Sequence, residues 1–395
     1  MFGRKSRKLK KQKSVSVVKV EQLPPDKAID ENKLVEIKDE IILARLNQAV
    51  PEIACVLSAG PQVVGSAVGS AYKAILPATS TIPPSQDTKK AVLGLFQKKS
   101  ASAVSTASGA LTQAGALVFG VAALIVGQKY MSDIAKGLNR LNDGIRRISS
   151  FQQNEYKSKV EALITRITVL LTHKTELQFN ADLCERTLIE LSSIEGECAQ
   201  LLGQANETLE GYSRMKIADF KKYCDTVWEV QPWVECQNRL LGVLYYVSDL
   251  KYVLNRSREQ VSREFCRSLF NTYFERTKKA KGALRDWHEM ETKKFKIDIA
   301  EFRRKRGRVD AFFHALPSLV KKKDNKYRDL PEGMGELICE QIKDNALDYS
   351  ALEEDPFDHD LEIYIREGKV FMLADPAEEE EEEEKLQEVE ESVPA

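Results

Sequence analysis

The feature that most constrains this chain is a long stretch without charge. From Ser100 to Gln128 the sequence contains no Asp, Glu, Lys or Arg, and its second half is very hydrophobic. The run is too long for a strand and lacks alternating polarity, so it predicts a helix. Such a helix must be covered on every side, either by lipid or by protein. The residues expected to form this apolar membrane segment are Ala110, Ala116, Leu117, Val118, Phe119, Gly120, Leu124, Ile125 and Val126.

A second stretch of low charge precedes the first. Residues 53–72 contain no charged side chain and are rich in glycine, serine and alanine, and a proline-rich connection follows at 77–87. A bilayer span needs about 20 mainly apolar residues, and residues 110–128 approach that length. The two stretches together predict a hairpin able to enter a membrane. The same small residues would also suit two helices packed closely within a protein.

Composition favours helices over a multi-stranded β fold. The 395 residues are 43% hydrophobic and 30% charged, with only 20 Gly and 13 Pro to interrupt helices. Beyond Lys129, apolar residues recur at alternating spacings of three and four, the pattern of a coiled-coil seam. The expected fold is mainly α, an elongated antiparallel helical bundle or coiled coil that forms homo-oligomers. The predicted oligomerisation seam is Met131, Ile134, Leu138, Leu141, Ile145 and Ile148.

The two ends of the chain carry opposite charges. Arg4 to Lys13 is a basic arm and Glu378 to Glu384 is an uninterrupted acidic run, although the formal net charge is only −1. Blocks of like charge repel themselves and bury little apolar area. Both ends are therefore expected to be disordered tails, each available to an unidentified protein partner.

The sequence also predicts one β-hairpin. Leu361 to Ile365 alternates in polarity, Glu367-Gly368 offers a turn, and Lys369 to Leu373 resumes the strand pattern. We expect a small C-terminal hairpin region. Because an isolated hairpin is marginally stable, it should dock elsewhere, for instance beside residues 15–20 as a third strand.

These patterns divide the chain into five expected parts. Residues 1–29 are a basic arm and linker, and residues 30–130 are the small-residue-rich hydrophobic region with the membrane hairpin. Residues 131–316 form the helical bundle or coiled coil. Residues 317–376 are a small α+β region with the hairpin, and residues 377–395 are the acidic tail.

No sequence motif indicates catalysis. The chain has neither the Gly-Lys-Ser/Thr of a phosphate loop nor a Gly-x-Ser-x-Gly nucleophile motif. Its four histidines are far apart and its seven cysteines include no C-x-x-C pair, which fits reduced thiols in the cytosol. The acidic stretch from Asp355 to Asp360 is interpreted as a solvated loop. We expect a non-enzymatic protein without a catalytic residue, cofactor or metal site.

One basic cluster is a candidate nucleic-acid contact. Five of the six residues from Arg303 to Arg308 are cationic, and clustered cations displace counterions from a phosphate backbone. The cluster is expected at the end of a charged helix, where cations also complement the helix dipole. Because no known reading motif accompanies it, nucleic-acid binding is less favoured than a membrane-associated protein or a coiled-coil scaffold.

The main functional hypothesis is a membrane-associated helical protein. Its hydrophobic segment would dock on or insert into a bilayer from the cytoplasmic side, while coiled-coil helices mediate assembly. The alternative is a soluble cytoplasmic coiled-coil scaffold in which protein covers the same segment. The two hypotheses differ in what surrounds residues 100–128, and the sequence leaves that choice open.

Overall fold

Helices account for most of the described chain. The computed structural model describes residues 18–23, 34–58, 71–76, 110–147, 154–256, 261–305, 327–343, 355 and 357–373. Within these residues there are ten helices and eight strands, so the expectation of a mainly α fold is confirmed. The chain separates into two compact units. Unit 1 contains Met1–Lys129, Gln178–Ala181 and Glu354–Ala395, and unit 2 contains Tyr130–Leu177 and Asp182–Glu353.

The elements are numbered along the chain. The strands are β1 (Lys19–Gln22), β2 (Leu34–Glu36), β3 (Tyr72–Leu76), β4 (Ile297–Asp298), β5 (Arg303–Lys305), β6 (Tyr327–Asp329), β7 (Leu361–Arg366) and β8 (Lys369–Leu373). The helices are α1 (Glu40–Ala49), α2 (Pro51–Ser58), α3 (Ala110–Arg147), α4 (Asn154–Thr172), α5 (Lys174–Phe179), α6 (Ala181–Ser213), α7 (Phe220–Arg256), α8 (Arg263–Cys266), α9 (Ser268–Phe295) and α10 (Met334–Ile342).

A five-stranded antiparallel sheet organises unit 1. Its strand order is β1-β3-β7-β8-β2. β7 and β8 meet at Glu367 and Gly368, which both have positive φ as a tight two-residue turn requires. The strands expected as a small C-terminal hairpin region lie inside a sheet built mostly from N-terminal strands. β3 lies between β7 and β1, so β1 does not pair with β7 or β8.

The sheet brings distant parts of the sequence together. β3 pairs with β7 from Tyr72 opposite Ile365 to Leu76 opposite Leu361. The five expected parts follow one another along the chain, whereas unit 1 joins residues from both ends. The five expected boundaries themselves stay predictions.

Protein covers one side of the charge-free segment. α1 begins after Asp39, whose Oδ1 accepts the backbone N–H groups of Ile41 and Ile42 at 3.0 and 3.1 Å, a normal N-terminal cap. The buried face of α1 packs with the sheet and with α3 in one apolar cluster. Its members include Ile42, Leu46, Ile53, Ala74, Leu76, Val118, Val121, Ala122, Ile125, Ile363, Ile365 and Val370.

The membrane-hairpin hypothesis is therefore wrong. No helix among the described residues is both long enough and apolar enough to cross a bilayer. The second arm expected at 53–72 is not one helix either, since α2 ends at Ser58 and β3 begins at Tyr72. The physical reason is that a segment of small apolar residues packs closely in a protein interior as readily as in lipid.

Unit 2 is built around α7. This helix contacts α4, α8, α9 and α10, and its buried residues fall on all sides rather than on one stripe. Two side chains of α7 extend to α3, because the ends of Tyr246 and Arg239 lie where a Cβ at Gly137 or Gly144 would be. Glycine at these two positions thus leaves room for those side chains.

The expected seam lies in the core of unit 2. Five of its residues are almost completely buried by the chain itself; these are Met131, Ile134, Leu138, Leu141 and Ile145. Ile148 lies outside the described residues. An oligomer formed through this seam, and a coiled coil as such, stay predictions.

Candidate anion-binding pocket

A pocket of about 440 Å³ lies between the start of α7 and the small antiparallel sheet β4-β5-β6. Its volume is typical of a site for a small ligand. Three cationic residues and one acidic residue contribute to its wall, together with apolar residues. The lining residues are Phe220, Lys221, Cys224, Arg304, Arg328, Asp329, Leu330 and Pro331.

The register of the small sheet places two arginines side by side. β5 pairs antiparallel with β4 and β6, and Arg304 lies opposite Ile297 on one side and opposite Arg328 on the other. Directly opposite residues project from the same face of a sheet. The guanidinium groups of Arg304 and Arg328 therefore share the face that lines the pocket.

The neighbouring arginine lies on the other face and is neutralised there. Arg303 is opposite Asp298 in β4 and Asp329 in β6. Its Nε lies 3.9 Å from an Asp298 carboxylate oxygen and its Nη1 lies 3.7 Å from one of Glu301. Its guanidinium carbon also stacks 4.4 Å from the centre of the Tyr327 ring. The charge of Arg303 is matched by nearby acids.

Arg304 and Arg328 lack such compensation. Among the described residues, no carboxylate forms an ion pair with Arg304, Arg328 or Lys221. Arg304 instead stacks its guanidinium carbon 3.9 Å from the centre of the Phe220 ring. Like charges directly opposite each other on a sheet are destabilising by a few tenths of a kcal/mol to about 1 kcal/mol. The pocket therefore has an excess of positive charge that an anion would neutralise.

Cys224 in the pocket wall is not an activated nucleophile. Burial, assisted by the neighbouring Asp225 charge, raises the pKa of the Cys224 thiol to about 11, although Arg304 opposes the shift. The thiolate is the reactive form of cysteine. At neutral pH this side chain is therefore a thiol of low reactivity.

A buried histidine belongs to a hydrogen-bonded network within unit 2. His288 is 1% exposed, with Nδ1 2.9 Å from the Tyr223 hydroxyl and Nε2 3.0 Å from Gln341 Oε1. Gln341 Nε2 donates to the Val227 carbonyl and to Gln231 Oε1, each at 2.9 Å. Burial lowers the pKa of His288 to about 4, so the ring is neutral at pH 7. Both ring nitrogens are occupied, which indicates a structural role.

A buried carboxylate joins three elements of unit 2. Asp249 of α7 accepts from Arg267 Nε at 2.6 Å and from Arg263 Nη2 at 3.1 Å, and it also bonds the Tyr130 hydroxyl. Burial by itself would raise the pKa of Asp249, but the hydrogen bond from Arg267 and the two arginine charges hold it below its usual range. The carboxylate is thus ionised and fully engaged.

The apolar residues expected to contact lipid lie in α3. Val118, Gly120, Leu124 and Ile125 are buried, and Val126 is half-buried. For four others the structure describes only the helical backbone, and their side chains lie outside the described residues; these are Ala110, Ala116, Leu117 and Phe119.

The basic cluster differs from its expected form. It was expected on the end of a helix, but Arg303–Lys305 is strand β5, whose alternation separates Arg303 from Arg304. Arg306 and Arg308 lie outside the described residues. Sequence reasoning missed Lys221 and Arg328, because only the register of β6 and the position of α7 bring them to Arg304.

No group of three or more His, Cys, Asp or Glu side chains in the described part of the chain is placed to hold a metal ion. No protein-family model matches the chain, and no curated protein or solved structure matches it either.

Proposed function

We propose that this protein is a non-enzymatic helical interaction protein that captures a negatively charged group in the pocket between α7 and the β4-β5-β6 sheet. The sequence left open, as the alternative to a membrane protein, a soluble coiled-coil scaffold or interaction protein with charged tails. The present proposal keeps the interaction role and adds a specific binding site to it. The observation that carries the proposal is the like-charged pair Arg304 and Arg328, set opposite each other without a carboxylate partner. An anion between them would turn a repulsion into two charge-assisted contacts.

Binding fits the pocket better than catalysis. The Cys224 thiol in its wall stays protonated. His288 and Asp249, whose pKa values are lowered, are buried and engaged in hydrogen bonds. Networks with a purely structural role also shift pKa values. The pocket offers fixed charges and apolar contacts, which are the elements of recognition.

Titration calorimetry with simple anions tests this proposal. Citrate and inorganic phosphate are titrated into the full chain at constant ionic strength, with Arg304→Gln as the test variant. We expect at least one anion to bind the wild-type chain, and Arg304→Gln to weaken that binding about tenfold or more.

Arg303→Gln is the matched control for this experiment. It removes the same charge from the adjacent residue of the same strand, but from the opposite face of the sheet. Binding by Arg303→Gln should remain within about twofold of wild type, since only screened long-range attraction is lost. Equal losses in the two variants, or no binding of either anion by the wild-type chain, would refute the proposal.

A further inference from the structure

The charge of the pocket indicates which anion it accepts. Three cationic residues line it, Arg304, Arg328 and Lys221. The one acidic lining residue, Asp329, lies opposite Arg303, so its carboxylate projects from the other face of the sheet. A ligand with a single carboxylate carries one negative charge and would leave part of the positive charge of the pocket unbalanced. A phosphate monoester carries about −1.5 to −2 at neutral pH and has three acceptor oxygens. It neutralises more of the positive charge than a carboxylate does, and each of its three oxygens can accept from one of the three cationic side chains.

The geometry of the arginines also favours phosphate. A guanidinium group offers a planar fork of donors that fits phosphate oxygens in pairs. Stacking on Phe220 fixes the plane of the Arg304 guanidinium, so less conformational freedom is lost when the ligand binds. Arg328, directly across the strand pair, can approach the same group from the other side.

The remaining wall of the pocket is apolar. Phe220, Leu330 and Pro331 contribute carbon surface beside the cations, and Leu330 is buried while Pro331 is exposed. The volume of about 440 Å³ suits a small molecule. A nucleic-acid strand would need cations in a continuous stripe, yet neighbouring Arg303 faces away and is paired with acids.

We infer that the pocket binds a small phosphate monoester, with the phosphate held by Arg304, Arg328 and Lys221 and an apolar substituent against Leu330 and Pro331. This inference rests on the proposed function, because it names the ligand class of the same site.

Four small molecules, each with or without one expected part of the ligand, test the inference by calorimetry on the full chain. Phenyl phosphate carries both expected parts, inorganic phosphate lacks the ring, benzoate replaces the phosphate by a carboxylate, and phenol lacks the anion. We expect phenyl phosphate to bind most tightly, at least about tenfold more tightly than benzoate, since it makes additional charge-assisted hydrogen bonds. Phenol should not bind measurably.

Single substitutions test whether phenyl phosphate binds in this pocket. Arg304→Gln and Arg328→Gln should each weaken phenyl phosphate about tenfold or more, while Arg303→Gln stays within about twofold of wild type. Arg328 is exposed, so its variant keeps the test informative if Arg304→Gln fails to fold.

The outcomes separate this inference from the proposed function. If benzoate or citrate binds as tightly as phenyl phosphate and depends on Arg304, the pocket takes anions but the phosphate assignment is wrong. If a single-stranded oligonucleotide binds more tightly than phenyl phosphate and depends equally on Arg303, the small-molecule assignment is wrong. If no probe binds, or if Arg304→Gln and Arg328→Gln both leave the affinity for phenyl phosphate unchanged, the ligand does not occupy this pocket.

Discussion

The buried cores of the two units differ in how many polar side chains they contain. In the described part of unit 1, the buried side chains are apolar except for Gln178, whose Nε2 lies 3.4 Å from the Leu124 carbonyl oxygen. Unit 2 buries many polar and charged groups among its helices, including Glu195, Asn206, Gln237, Asp249, His288 and Gln341. An apolar core depends on volume and area, whereas a polar core requires that each group keep its partner.

The difference follows from the position of α7. Helices contact it on several sides, so its polar residues cannot all turn towards water. Gln237 donates to Asn206 Oδ1 at 2.6 Å, and Lys251 pairs with Glu195 at 2.6 Å. Asn206 in turn donates to the Thr277 hydroxyl at 3.2 Å. Such contacts hold only in one register of the helices, so they favour a single arrangement.

Removal of the buried carboxylate should have the largest effect. Asp249→Ala leaves Arg263 and Arg267 without their shared counter-charge, and breaking a buried ion pair costs about 3–5 kcal/mol. Asp225→Ala, on an exposed position of the same helix, should cost less than about 0.5 kcal/mol.

Urea denaturation followed by tryptophan fluorescence measures this effect in the right unit. All three tryptophans, Trp228, Trp233 and Trp287, belong to unit 2. If Asp249→Ala and Asp225→Ala shift the urea midpoint equally, the buried network does not stabilise unit 2. The proposed difference between the apolar core of unit 1 and the polar core of unit 2 is then wrong.

Truncation in the apolar core should come next. Leu46 is fully buried in the cluster of unit 1, and Leu46→Ala should cost about 3 kcal/mol, since it leaves a cavity. Leu46→Met preserves volume and should cost less than about 1.5 kcal/mol. Hydrogen exchange of the α1 amides reports the local stability. A large loss of stability in Leu46→Met would show that the core of unit 1 tolerates substitution as poorly as the core of unit 2.

Acid should weaken unit 2 through His288. The pKa of this ring is about 4 in the folded protein, whereas an unfolded histidine has a pKa near 6.5. Between these values the unfolded chain binds the proton more readily, so stability present above pH 6.5 is lost as pH falls towards 4. The loss from this group should be about 2 kcal/mol between pH 7 and pH 5.

Two variants isolate the contribution of His288 to this pH dependence. His288→Gln should abolish that part of the difference in tryptophan-detected stability between pH 7 and pH 5. His173→Gln, at an exposed position in the same unit, should retain it. The same pH dependence in all three proteins would mean that other groups cause the acid effect.

The sequence predicted the elements that depend on local pattern. Residues 110–128 of the charge-free run became part of α3, and the heptad-like residues from Met131 to Ile145 are buried along it. The strands at 361–373 pair as their alternation suggested, but their partner β3 has only five residues and no clear alternation, so it was missed. What covers an apolar face depends on tertiary packing, which periodicity does not encode.

The pocket was harder to predict than the fold. Arg304 lay within a cluster recognised from its charge, but strand alternation decides that it faces the pocket while Arg303 does not. Arg328 and Lys221 are single cations in a chain with 59 Lys and Arg residues. Their contribution depends on register and helix position, and no short motif records either.

The strand order of unit 1 also has a consequence for biosynthesis. β7 and β8 come late in the chain, yet they join β3 to β2, so without them only the β1–β3 pair remains of the sheet. A ribosome completes every residue of unit 2 before it makes β7. The apolar residues of α1 and α3 that pack against this sheet therefore stay uncovered until β7 and β8 are synthesised. During this interval of translation they can aggregate.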